Sequence, residues 1–141
     1  MDEDLFGNKF DKEVDAAHKE LVDYDKETFD ERLKRLKYVN RVFPFGQREY
    51  GSSESVRIFD EAVHSYIFGF FISTIILAQA FIERRFQEYF RLRFDDKRSK
   101  YTLDQLLKEF RKTGMIDDYF IDKIDKIRLK RNPLVHLKTI A

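Results

Sequence analysis

At 141 residues and a formal net charge of +1, the chain has the length of one domain (1–141) and no overall basic field of the kind that advertises nucleic-acid binding. It contains no cysteine, which excludes disulfides, zinc–thiolate sites and thiol nucleophiles and fits a reducing, cytoplasmic setting. Charged residues make up 38% of the chain, phenylalanine occurs 15 times, and only five glycines and two prolines interrupt it, so the composition predicts an all-α protein with solvated outer helix faces.

The amino terminus, Met1-Asp2-Glu3-Asp4, is acidic and lacks the basic-then-apolar order of a secretory signal. Over residues 9–24, Phe10, Val14, Ala17, Leu21 and Tyr24 recur at alternating four- and three-residue steps, which predicts an amphipathic helix. Residues 28–43 repeat the pattern with Phe29, Leu33, Leu36 and Phe43, predicting a second. His18 lies beside the first stripe with no partner at metal-ligand spacing and reads as a surface or boundary residue. Phe43-Pro44-Phe45-Gly46 ends this region and Gln47 to Ser53, with Gly51, reads as a loop, the aromatics Phe43, Phe45 and Tyr50 expected to cover the core. Ser52 or Ser53 is placed to cap the next helix, with Glu54 in its first turn.

That helix is expected to run from about residue 54 to 94. From Ala62 to Ile82 it holds 21 residues without Asp, Glu, Lys or Arg. Such a run is long enough to cross a bilayer. It equally fits the buried centre of a bundle. His64, Ser65, Gln79 and the dense charge on both flanks favour the bundle. His64 is then expected as a hydrogen-bonded core residue, and Gly69 as a point of close helix approach. Beyond Ile82 the pattern turns amphipathic, with Phe86, Tyr89, Phe90 and Phe94 among charged neighbours.

Asp95 to Lys100 reads as a charged turn. Thr102-Leu103-Asp104-Gln105 has the form of a capping box, opening a short helix with Leu103, Leu106, Leu107 and Phe110 inward and Gly114 closing it. A last long helix starts near Asp117, with Phe120, Ile124 and Ile127 as its expected buried stripe. Extending that stripe by four residues reaches Arg131, which aims the arginine toward the apolar side or a cleft.

The segment Arg131-Asn132-Pro133-Leu134-Val135-His136 gathers a guanidinium, an amide, a helix-start signal and an imidazole. On an unbroken helix Arg131 and His136 lie about 140° apart, so their convergence needs a break. Pro133 lacks a backbone N–H and biases Asn132 away from helical angles, which predicts that one helix ends at Arg131 and another starts at Asn132-Pro133. A helix start beside an arginine suits phosphate, and its positive end favours the neutral imidazole. Histidine plus arginine without acidic metal ligands suits metal-free RNA cleavage by acid–base chemistry. Glu83, where the central helix leaves its apolar run, is a weaker candidate as a partner of Arg131.

These six residues resemble the signature of HEPN domains: an arginine, a polar residue, a short spacer and a histidine near the start of the last core helix. The apolar helix at 54–94 followed by shorter ones resembles the same all-helical antiparallel bundle. The resemblance covers about 54–141, with the helices at 9–43 as an addition. It implies a metal-independent endoribonuclease of toxin or anti-phage type. Arg131 and His136 would be catalytic, and Asn132 would orient them. It also implies a homodimer with a composite cleft, and an antitoxin or larger defence assembly as a further partner. One HEPN subset, paired with nucleotidyltransferases, has a tyrosine two positions after the histidine; this chain has Lys138 there.

RNA is the expected partner, with Lys123, Lys126, Arg128, Lys130 and Lys138 as a local basic rim for its backbone. No cofactor and no metal are expected. Two other readings remain: a non-catalytic helical interaction or RNA-binding module, and a small protein anchored in a membrane through residues 62–82.

Overall fold

The computed structural model describes residues 12–44 and 51–135. Its elements are α1 (Lys12–Val42), α2 (Ser53–Phe68), α3 (Phe71–Arg93), a 3₁₀ turn (Lys97–Lys100), α4 (Leu103–Thr113) and α5 (Asp118–Val135), with no strand among the described residues. The protein is all-α, as its composition predicts.

α1 replaces the two helices expected at 9–24 and 28–43. The apolar stripe shifts by about 90° between those segments, which suggests a break. No glycine or proline lies between them, however, so the backbone has no reason to stop. The Thr28 hydroxyl donates back to the Tyr24 carbonyl at 2.8 Å across the junction. Only the last third of α1 packs. Val39 is buried, Tyr38 meets Tyr66, and Phe43 stands edge-on to Phe59 with centroids 5.1 Å apart. Phe43 thus covers α2 as expected, while Phe45 and Tyr50 lie outside the described residues. Arg35 Nε donates to the Ile67 carbonyl at 2.8 Å, placing a cation on the negative end of α2. Val14, Leu21, Tyr24 and Phe29 stay exposed, and so does His18.

The long helix expected at 54–94 is instead the antiparallel hairpin α2–α3. Gly69 adopts φ 83°, and its N–H and that of Phe70 turn back to the Tyr66 and Ser65 carbonyls, closing α2. The 21 uncharged residues therefore fold back on themselves instead of forming one rod. Among the described residues no helix is long and apolar enough to cross a membrane. His64 is also corrected: α2 buries Ser55, Ala62 and Val63, and His64 is exposed with Nδ1 2.8 Å from the Asp60 carbonyl oxygen.

The hairpin predicts the sign of a substitution. Gly69→Ala forces a Cβ into the left-handed region and brings it 3.4 Å from the Arg35 guanidinium, at an expected cost of about 1–2 kcal/mol. In one continuous helix the same change would stabilise by about 1 kcal/mol. A urea midpoint that falls supports the turn; one that rises contradicts it.

Glu88 pins the open end of the hairpin. Ser52 caps α2 by accepting from the Ser55 N–H at 3.2 Å, and its hydroxyl donates to Glu88. The Ser55 hydroxyl and Arg85 also donate to Glu88, each at 2.8 Å. Burial pushes this carboxyl up, but the bonds from Ser52, Ser55 and Arg85 outweigh it and hold the group at about 2 instead of 4.5. A depressed carboxyl stabilises the fold above its unfolded value, and that stabilisation is lost as pH falls from about 4.5 toward 2. The contribution at neutral pH is about 3 kcal/mol. Glu88→Gln should flatten the fall in urea midpoint between pH 5 and pH 2.5. An unchanged acid dependence in Glu88→Gln would assign it to other carboxylates.

The main core lies where α3, α4 and α5 meet. Phe90, Leu103, Leu106, Leu107, Phe110 and Ile121 form it, with Ile82, Phe86, Ile116 and Ile124 packed around. α4 opens with the expected capping box of Thr102 and Gln105 and closes at Gly114. Arg98 lies over the rings of Phe90 and Phe94 at 4.5 and 4.7 Å and forks onto Asp96, sealing the side next to the 3₁₀ turn.

α5 runs antiparallel to α3 and differs from the expected register. Ile121, at 0% exposure, replaces Phe120, at 58%, as its first buried residue. Phe120 and Ile127 sit about 100° or more round the helix from Ile121. The inward face is Ile121, Ile124 and Arg128, with Arg131 and Asn132 on its two flanks.

Candidate functional site

Where α5 leaves the core, a half-open cleft of 380 Å³ separates it from α3 and the start of α4. Ile76, Gln79, Ala80 and Glu83 form the α3 wall, Thr102, Leu103 and Asp104 the floor, and Arg128, Arg131 and Asn132 the α5 wall. Three residues singled out from sequence thus converge on one cavity with Glu83.

The two arginines differ in state. Arg128 Nε donates to Asp125 at 2.7 Å, and its guanidinium lies 3.5 Å from Asp104. Lys108, with Arg128 adding to it, holds the Asp104 carboxyl below the usual range, so Asp104 stays ionised beside Arg128. Arg128 is therefore a tie between α5 and α4. Arg131 is half-buried and makes no hydrogen bond or ion pair with any described residue; the same holds for Asn132. A guanidinium that lines a cleft and is tied to neither of its two carboxylates, Glu83 and Asp104, is available to an anion.

Glu83 does not pair with Arg131. Its Oε2 accepts from the Leu103 N–H at 2.7 Å, adding a carboxylate to the positive end of α4. Its Oε1 has no partner among the described residues. Gln79 is 8% exposed and its Oε1, itself buried, has no hydrogen-bond partner among the described residues. Sequence reasoning used Gln79 only as a mark against a membrane span. The signal was its spacing: Gln79 and Glu83 are four apart, hence on one face of α3, in a stretch otherwise apolar.

The expected helix break at Asn132-Pro133 is not present. α5 continues through Pro133 to Val135. Proline inside a helix removes one hydrogen bond and crowds the carbonyl four residues back. Near a helix end that loss is confined to the last turn. The intrachain device expected to bring His136 to Arg131 is thus absent, and His136 itself lies outside the described residues, as does Lys138. Lys123, Lys126 and Lys130 are exposed on α5, with Lys123 Nζ 4.4 Å from the Tyr119 ring centroid. Among the described residues no three His, Asp or Glu side chains gather as a metal site.

Comparison with known protein families, curated proteins and solved structures gives no match for this chain.

Proposed function

We propose that the chain is a metal-independent endoribonuclease of HEPN type, working as a homodimer through Arg131 and His136. The observation that carries this reading is the half-buried Arg131, which lines a cleft and has no partner among the described residues. In the reaction the ribose 2′-oxygen attacks phosphorus, the P–O5′ bond breaks, and a 2′,3′-cyclic phosphate and a 5′-hydroxyl are left. Arg131 stabilises charge on the phosphoryl oxygens. His136 takes the 2′ proton or gives one to the departing O5′. Because α5 passes through Pro133 without a break, the complementary histidine is assigned to the second copy, across the dimer. Asn132 orients the phosphate, and Lys123, Lys126 and Lys130 follow the backbone. A toxin or anti-phage setting, with an antitoxin or larger assembly as partner, belongs to the same proposal.

A second reading, a non-catalytic helical interaction module, draws on the exposed apolar residues Val14, Leu21, Tyr24 and Phe29 of α1. His136→Ala separates the two. Loss of RNA cleavage in EDTA by at least about a hundredfold, with an unchanged melting curve, supports the ribonuclease. Equal activity in His136→Ala removes its acid–base role, and RNA bound but left intact by the wild-type chain favours the module.

A further inference from the structure

α1 outruns the hairpin it packs on. Along its last third it lies antiparallel to α2: Phe43 meets Phe59, Tyr38 meets Tyr66, and Arg32 lies over Phe68 at the end of α2. There α2 closes at Gly69 and the chain turns back. From Thr28 to Val14, α1 goes on as an arm that projects about 21 Å beyond the hairpin tip.

The arm keeps the face that α2 covers on the last third. Leu21 precedes Val39 by about five full turns, so the two share one line of the helix. Val14, Ala17 and Tyr24 lie within about 60° of that line. Val39 is buried, whereas Val14, Leu21 and Tyr24 are 50%, 66% and 44% exposed. At the inner end of the line, Phe68 and Phe70 of the hairpin tip are exposed as well. Such a stripe is what a helix turns toward a core. Here it continues past the core into a corner between the arm and the tip of the hairpin.

The charges beside the stripe define what fits that corner. Between Val14 and Glu31 stand seven acidic residues and two lysines. Glu20 and Glu27 edge one side of the stripe and Asp25 with His18 the other, while Lys19 and Lys26 lie about 140–160° round the helix from Leu21. Ala16 and Ala17, being small, leave a hollow beside Leu21 and Tyr24, lined also by Glu20, Asp23 and Glu27 and by one base, Lys19. A second copy of the arm would set acidic edge against acidic edge. An anionic bilayer is repelled by the same carboxylates, and a flat surface cannot reach Phe68 and Phe70 past an arm that stands in front of them. An elongated, basic partner meets both conditions.

We infer that this face of α1 is a docking site for a basic amphipathic helix of another protein, laid along the arm end to end with α2. Apolar residues of the partner at three- and four-residue spacing cover Val14, Ala17, Leu21 and Tyr24 and reach Phe68. Its lysines or arginines meet Glu20, Asp25 and Glu27. The site requires neither RNA nor catalysis and stands or falls apart from Arg131.

The test uses the full chain and a synthetic peptide of about 18 residues, with leucine at alternating three- and four-residue steps and lysine elsewhere. A scrambled peptide of the same composition is the control. Fluorescence anisotropy of each labelled peptide is read on wild type, Leu21→Asp, the double variant Glu20→Lys with Glu27→Lys, and Leu92→Asp. Leu92, on α3, is 77% exposed and serves as an apolar position outside the site. Wild type should bind the helical peptide and not the scrambled one. Leu21→Asp should weaken binding by about tenfold through loss of an apolar anchor, although its added charge would strengthen a merely electrostatic attraction. The double reversal should weaken it by at least about tenfold and flatten its salt dependence. Leu92→Asp should bind as wild type does. Binding of neither peptide, equal binding of both, or undiminished binding by Leu21→Asp overturns the site. Self-association of the wild-type chain that Leu21→Asp abolishes in sedimentation equilibrium gives the face to a second copy and overturns it. Leu21-dependent binding to phosphatidylserine vesicles gives the face to lipid and overturns it equally.

Discussion

Replacing Arg131 with alanine is expected to lower the rate of RNA cleavage by about a hundred- to a thousandfold, the usual effect of removing one preorganised donor to a developing oxyanion. The fold should not change, because Arg131 is tied to no described residue. Its removal should change the unfolding free energy by no more than about 0.5 kcal/mol, as for a side chain that ties no elements together. Arg128→Ala should behave in the opposite way. It breaks the tie to Asp104 and Asp125, so it should lower stability while leaving the chemical step largely intact. Arg131→Lys keeps the charge but loses the planar fork, and should fall between wild type and alanine. Equal activity in wild type and Arg131→Ala would remove this arginine from the site.

The second large effect is on stability. Phe90 is fully buried, 5.3 Å from the Phe110 ring centroid and beneath the Arg98 guanidinium. Phe90→Ala leaves a cavity at the junction of α3, α4 and α5, and should cost about 3–5 kcal/mol. That is a large part of the roughly 5–15 kcal/mol that holds a domain of this kind. Phe120→Ala, at an exposed position on α5, should cost less than about 1 kcal/mol. Chemical denaturation of both variants tests the register of α5 directly. Similar losses in the two would return Phe120 to the core.

What the sequence made legible follows from how local each signal is. The capping box at Thr102 and Gln105, the cap at Ser52 and the closing Gly114 depend on neighbours three or four residues away, and all three are present. The inward row Leu103, Leu106, Leu107 and Phe110 is a short, strong periodicity, and it is buried. The misread elements needed information from elsewhere in the chain. A glycine within an apolar run is tolerated in a helix or ends it, and the choice at Gly69 depends on Phe59 meeting Phe81 and Ser55 meeting Glu88 once the chain folds back. Pro133 signals a break, yet close to a helix end it costs one bond and the helix goes on. On α5 two apolar registers, the expected one through Phe120, Ile124 and Ile127 and one through Ile121 and Ile124, compete and share Ile124. Contact with α3 and α4 selects the second.

The cleft was half legible. Arg131 and Asn132 were found through a linear motif, and Glu83 through its place at the end of an apolar run. Gln79 was not found, because its significance is an unmet hydrogen bond, which exists only once α3 and α5 are packed together. The inward placement of Arg131 came from the wrong stripe. The residue ten positions after Ile121 still lies on the flank of the buried face, so it lines the cleft all the same.

The most direct test is to incubate the purified chain with single-stranded RNA in EDTA and identify the ends of the products. Fragments ending in a 2′,3′-cyclic phosphate, with cleavage blocked by a single 2′-deoxy substitution at the cut nucleotide, are predicted. Intact RNA, or cleavage that proceeds past the 2′-deoxy position, would contradict the assignment of Arg131 and His136 to a ribonuclease site.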